Sequence, residues 1–157
     1  MKAPAVVNAS PLIVLARIGR VELLTVMWEH VVVPSGVAHE IMRGDRHDPA
    51  RRWIQDDGNR YVRQVKHIDE VVAGWDLGLG ESHVLTYALS HAGSEALLDD
   101  AAARVCAQVL GIRLCGTLGV LLRAKRAGLI GAVKPIMQDM IGAGFHLGPD
   151  IAAAVLG

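Results

Sequence analysis

Acidic and amide side chains recur where this sequence passes from short apolar runs into helical patterns. Asn8 follows Ala5-Val6-Val7, and Glu40 comes a few residues after Val31-Val32-Val33. Glu81 follows Gly78-Leu79-Gly80, and Asp99-Asp100 follow Leu97-Leu98. Such apolar runs read as strands covered on both faces, and an open parallel sheet gathers its ligands at the carboxyl ends of strands. Carboxylates brought together at one such edge repel one another unless a cation intervenes. Oxygen donors with open positions left over suit Mg²⁺ or Mn²⁺ better than zinc. Those ions activate water and stabilise the leaving oxygen in phosphodiester cleavage. At helix starts, the dipole also keeps Glu81 and the Asp pair ionised. The plainer use of Glu81 or Asp100, each taken singly, is as an ordinary helix cap.

The elements that must position these groups alternate. Pro4 to Val7 reads as a strand, and Ser10 followed by Pro11 reads as a helix start, with the hydroxyl as cap and Pro at the first helical position. Helical patterns cover Pro11 to Arg17 and Val21 to Trp28, bent at Gly19. The β-branched run 31–33 is a second strand, and Ser35 can cap the helix that follows to Met42. A polar loop over Arg43 to Pro49 precedes a helix at Ala50 to Gln55, and Tyr61 to Lys66 alternates like a strand. Asp69 to Gly80 reads as a loop before a helix from Glu81 to His91. Strands at Leu97-Leu98 and Ile112 to Cys115 flank a helix over Ala101 to Leu110. Helices follow at Thr117 to Ala127, at Val133 to Ile141 and at Ile151 to Leu156. The expected architecture is α/β, a three-layer α/β/α sandwich around a parallel sheet, as one domain over residues 1–157.

Composition narrows the function. The chain has 157 residues, a hydrophobic content of 52% and 16 basic against 16 acidic residues, so formal net charge is zero. A well-buried globular protein fits these values, and a molecule-wide field for nucleic acid does not. Any such binding must rest on a local patch. The best candidate is the segment with Arg43, Arg46, Arg51 and Arg52, continuing to Arg60, Arg63 and Lys66 and interleaved with Trp53 and Tyr61. Its Asp residues dilute it, and a solvated surface is the competing use. No apolar run is long enough to span a membrane, and the start of the chain lacks the pattern of an export signal, so a cytoplasmic protein is expected. Cys106 and Cys115 are too far apart for a CxxC pair and read as buried free thiols. His39-Glu40 lacks the second His of a zincin motif, because position 43 is Arg. Gly142 and Gly144 follow a helix pattern instead of a strand, which excludes a dinucleotide fingerprint, and no nucleophile-elbow pattern surrounds Ser10. The apolar face from Val133 to Ile141 reads as core, with a homodimer or antitoxin contact as its other use.

Taken together, VVNASPLI at the start, Val33-Pro34 with His39-Glu40-Ile41, Gly78-Leu79-Gly80-Glu81, Leu98-Asp99-Asp100 with Arg104, and GTLGVLL followed by AKRAGLI resemble the PIN domain. More narrowly, the chain resembles small bacterial and archaeal PIN proteins regarded as nucleic-acid-binding. The likeness runs through nearly the whole chain. It implies a PIN-like fold and a metal-dependent ribonuclease, often the toxin of a toxin–antitoxin pair, with RNA as substrate and Mg²⁺ or Mn²⁺ as cofactor. By the family pattern, Glu40, Glu81 and Asp99 or Asp100 bind metal, Asn8 completes the site, and Ser10 orders it by hydrogen bonding. Two residues depart from that pattern. Asn8 stands where the family usually has Asp, and His83 stands where relatives often carry a second acid. An amide offers a carbonyl oxygen but no charge. The resemblance therefore leaves two functions open: the ribonuclease, or a catalytically weakened domain that binds RNA or a protein partner.

Overall fold

The computed structural model describes residues 3–145, so the helix expected over Ile151 to Leu156 lies outside the described residues. Five parallel strands, β1 (Ala5–Val7), β2 (Val31–Pro34), β3 (Val62–Arg63), β4 (Glu95–Leu97) and β5 (Arg113–Cys115), form one sheet in the order β3-β2-β1-β4-β5. Ala5 lies opposite both Val31 and Glu95, and Leu97 lies between Val7 and Cys115. Every residue of β1, β2 and β4 is buried, whereas β3 and β5 are partly exposed edges. Their apolar side chains point to both faces of a covered sheet, which is why continuous runs, not alternation, mark them in the sequence.

The helices are α1 (Ala9–Arg17), α2 (Glu22–Met27), α3 (Ser35–Met42), α4 (Pro49–Gln55) and α5 (Glu70–Ala73), then α6 (Leu79–Ser90), α7 (Ala101–Val109), α8 (Thr117–Arg126) and α9 (Val133–Gly142). The chain moves from β1 to β2 to β3 in one direction, then back across the sheet to β4 and β5. Right-handed crossovers place the helices of those two halves on opposite faces, which produces the three-layer α/β/α arrangement. The order reverses at β1, so the edge beyond β1 and β4 is the natural crevice of this fold.

Local capping departs from the expectations in instructive ways. The first helix begins at Ala9 with Asn8 at the cap position, so Ser10 is already inside the helix and does not cap it. Pro34 holds the cap position of α3, and the Ser35 hydroxyl instead accepts from the Val65 N–H at 3.0 Å. Asp48 caps α4 through the Ala50 N–H, which draws Pro49 out of the expected loop and into the first helical position. Asp69 caps the short helix α5 inside a segment expected to be loop. Only Val62 and Arg63 of the expected strand Tyr61 to Lys66 pair with β2, after a 3-10 turn at Asp57–Tyr61. The strand expected at Leu97-Leu98 runs instead from Glu95, whose buried carboxylate hides it from a hydrophobicity reading.

Packing locks the crevice from behind. Leu12 and Leu15 of α1, Leu97 and Leu121, and Met137 and Met140 of α9 are fully buried. Val133 and Ile136 are buried too, so the apolar side of α9 is core, with Ile141 exposed at its end. Both cysteines are free and buried. On α8, Arg123 turns toward a buried acid of the sheet. Its guanidinium makes a bidentate pair with Glu95, at 2.6 and 2.5 Å, and lies 5.7 Å from the Trp28 ring centroid. Trp28 donates its indole N–H to the same carboxylate at 3.2 Å, so α2, β4 and α8 are pinned at one point. Burial pushes the Glu95 carboxyl up, but the hydrogen bonds and charge of Arg123 and the Trp28 bond outweigh it and hold it below its ordinary value.

Glu95→Gln should therefore destabilise the fold by about 2 kcal/mol in urea unfolding, less than a fully buried pair because Arg123 stays 40% exposed. A depressed carboxylate contributes stability that is present above its unfolded pKa and lost as pH falls through the folded one. The variant should accordingly lose most of its deficit against the parent chain at acidic pH. An equal deficit at acidic and neutral pH would place the effect in packing, not charge.

Candidate active site

Beyond the carboxyl ends of β1 and β4 the surface opens into a cleft of about 1150 Å³. Asn8, Ser10, Glu40, Glu81, Asp99 and Asp100 all line it. Asn8 follows β1 directly, and its N–H bonds to the Leu97 carbonyl at 3.1 Å, which ties it to the end of β4. Its side chain does not cap α1. Instead Nδ2 donates to Glu81 Oε1 at 3.4 Å, and Oδ1 is buried with no hydrogen-bond partner among the described residues. A buried polar oxygen without a protein partner is costly and rare, and coordination of an ion is one ordinary way to satisfy it.

Glu40 reaches the same place from α3. Its Oε1 accepts the Gly80 N–H at 2.8 Å, one of the orphan donors of the first turn of α6. Gly80 leaves room here for two side-chain oxygens. A Cβ would stand 2.8 Å from Glu40 Oε2 and 3.1 Å from Asn8 Oδ1. Gly80→Ala should displace both oxygens and weaken Mn²⁺ binding by about 10-fold or more, as loss of a ligand-orienting contact does. Calorimetry would check this, and unchanged affinity would mean that Glu40 is not a ligand.

The two aspartates have different tasks. Asp100 caps α7, its Oδ2 accepting from the Ala103 N–H at 2.9 Å. Asp99 is held by Thr117, whose N–H donates to Oδ1 at 2.8 Å and whose hydroxyl donates to Oδ2. Thr117 is fully buried at the start of α8, so the carboxylate has one fixed orientation toward the cleft. Arg104 donates to the Leu98 carbonyl at 2.9 Å and stands beside Asp99, where Gly116 leaves room for both side chains. Thr117 was not legible as a site residue. Its signal lies only in its place after Gly116 at a strand-to-helix break.

Other candidates fall outside or on the margin. Ser10 is exposed, and no side-chain hydrogen bond within the described residues engages it, so the ordering role expected of it has no visible partner. His83 accepts the Gly36 N–H on Nδ1 at 2.9 Å and packs where a Cβ on Gly36 would go, locking α3 to α6. Burial pushes its pKa down, with Glu40 opposing. In this position His83 is a packing and hydrogen-bonding residue. Arg43, Arg46, Arg51 and Arg52 are not among the cleft residues. The cations that line the cleft are Arg17, Arg104, Arg123 and Arg126, which stand on α1, α7 and α8. Of these, Arg17 pairs with Asp48 at 2.7 Å and also donates to the Ala143 carbonyl.

The donor set is made of oxygens and suits a hard divalent ion: the carbonyl Oδ1 of Asn8 and the Glu40 carboxylate around Gly80, Glu81 beside Asn8, and Asp99 on the lining of the same cleft. The partnerless Oδ1 supports that fit. No three His, Cys, Asp or Glu side chains among the described residues stand together as a group that could hold a metal ion, although the acids line one cleft. No helix among the described residues is long and apolar enough to cross a membrane. No curated protein and no solved structure matches the chain. A family model described as a PIN domain matches residues 4–157, nearly its full length. With the all-parallel sheet in hand and the match covering almost every residue, this chain belongs to the PIN-domain family.

Proposed function

We propose that this protein is a metal-dependent endoribonuclease that hydrolyses RNA phosphodiester bonds in the cytoplasm as the toxin-like member of a toxin–antitoxin pair. The observation that carries the reading is the convergence of Asn8, Glu40, Glu81 and Asp99 on one cleft, with Asn8 Oδ1 left without a partner. PIN-domain membership supports nuclease-type chemistry in general. Mg²⁺ or Mn²⁺ bound there would supply Lewis acidity for activating water and for the departing oxygen.

The chain's own residues account for the rest. Glu40 and Glu81 carry the negative charge that attracts a cation, and Asn8 adds a neutral oxygen between them. Thr117 presents Asp99 to the opposite side of the site. Arg104, close to Asp99, and Arg126 on α8 offer guanidinium groups for the phosphates on either side of the scissile bond. The apolar wall of Ile13, Leu118 and Leu122 gives unpaired bases a dry surface, which favours single-stranded RNA.

A second reading, a domain that binds RNA without cutting it, is favoured by one observation. The buried position 8 carries an amide, so the site has one negative charge fewer than its geometry could hold. Incubating purified protein with single-stranded RNA and Mn²⁺ separates the two. Cleavage abolished by EDTA and restored by Mn²⁺ supports the enzyme. Saturable RNA binding with no cleavage at any Mn²⁺ concentration supports the binding module instead.

A further inference from the structure

At the opposite edge of the sheet from the acids lies a second cavity, of about 610 Å³. Residues just before β1 and β2 form its floor, Pro4 and His30 among them. One wall is the C-terminal end of α6 with Tyr87 and His91, and the other is the approach to β3 with Arg60, Tyr61 and Arg63. Its volume falls within the range of sites for small organic ligands, roughly 300–1,000 Å³.

The side chains that line it are of two kinds. Tyr87 and His91 form a parallel stack with ring centroids 4.0 Å apart and planes 7° apart. The His91 ring is held by the Tyr87 carbonyl and the Ser90 hydroxyl through Nδ1. Tyr61 is stacked in turn on Trp53, at 5.7 Å and 9°, with the Arg60 guanidinium 5.9 Å from its centroid. The second kind is cationic. Arg63 is fixed by donating to the carbonyls of Arg60 and Val62 at 2.7 and 2.9 Å, which orders the group without neutralising it. Neither Arg60 nor Arg63 has a carboxylate partner among the described residues, and the one acid in the wall, Glu29, lies 3.9 Å from His30.

We propose that this cavity is a binding site for a nucleotide unit, with the base against the Tyr87–His91 stack and the phosphate on Arg60 and Arg63. Parallel, preordered rings suit a planar base of any identity, and guanidinium groups without a carboxylate partner suit a phosphate. The polarity of α6 agrees: the negative end of its dipole disfavours phosphate beside it and favours phosphate on the β3 side. The site takes in Arg60, Tyr61 and Arg63 of the Arg- and aromatic-rich segment 43–66. It is independent of the acidic cleft, although α6 runs from one to the other.

Either a free nucleoside monophosphate or one unit of a single-stranded RNA could supply that chemistry. Titration calorimetry without divalent metal, using AMP and UMP in one arm and a short single-stranded oligoribonucleotide in the other, distinguishes the sources. Saturable binding in either arm is expected. The exposed pair Arg60→Ala/Arg63→Ala should weaken it by about 10-fold or more, and Tyr87→Phe should preserve it, with melting temperature showing that each variant is folded. The proposal is overturned if neither probe binds at millimolar concentration. It is equally overturned if Arg60→Ala/Arg63→Ala binds as the parent does, which would place the nucleotide elsewhere on the molecule.

Discussion

Asn8→Asp should tighten Mn²⁺ binding by about 10-fold or more while making the metal-free protein less stable. Both effects come from one atom. In the parent chain Nδ2 donates to Glu81 Oε1, and Oδ1 is buried without a partner. Asp keeps Oδ1 and turns the donor into a second acceptor, so a favourable contact with Glu81 becomes repulsion inside a nearly closed position, 2% exposed. Leaving a buried group unsatisfied costs about 1–3 kcal/mol, and the melting temperature of the metal-free variant should fall accordingly. A divalent ion reverses the sign. One added charge about 4 Å from another is worth on the order of 4 kcal/mol per unit charge at an effective dielectric of about 20. Repulsion among Glu40, Glu81 and the new Asp takes back a large part of that. The 10-fold gain is the floor left over, and Mn²⁺ should raise the variant's melting temperature more than the parent's. If calorimetry finds no gain in affinity, position 8 does not face the ion and the geometry assigned to the site is wrong.

The adjacent aspartates should separate just as clearly in an RNA cleavage assay. Asp99→Asn is expected to lower Mn²⁺-dependent cleavage on the order of 100-fold, because the charge facing the cleft is lost. It should unfold little of the protein. An Asn at 99 can still accept from the Thr117 N–H and can donate to the hydroxyl, so α8 stays attached to the end of β4. Asp100→Asn should leave activity within about 2-fold, because Asn caps a helix about as well as Asp and the Ala103 N–H keeps its acceptor. Equal losses from both substitutions would show that Asp100 is a ligand in addition to a cap. Cleavage that persists at full rate in Asp99→Asn would point to a contaminating nuclease.

The difference between these two neighbours was not available from their spacing. Both are acids at a strand-to-helix break, and the family pattern accommodates either one. What separates them is Thr117, 18 residues further along the chain, and the helix start to which Asp100 is committed. The basic patch shows the same limit in a larger form. Arg43 to Arg52 are dense in sequence, but cleft residues Arg17, Arg104, Arg123 and Arg126 come from three separated helices and form no run that a linear reading could detect.

The sequence by itself determined the fold class, a parallel sheet between helical layers, and marked the acid and amide residues that stand near strand-to-helix breaks. Those depend on local information: apolar runs for covered strands, helical periodicity between them, and the residue types where one gives way to the other. The tertiary structure alone decided which atoms meet. Asn8 and Glu81 are 73 residues apart, Glu40 and Gly80 are 40 apart, and Glu95 and Arg123 are 28 apart. Hydrogen bonds of a few ångströms between such positions follow from strand register and helix packing, which no local pattern encodes. Asn8 shows both halves in one residue. Its place at the end of the first strand is written in the sequence, and its buried, partnerless carbonyl oxygen is a product of the fold.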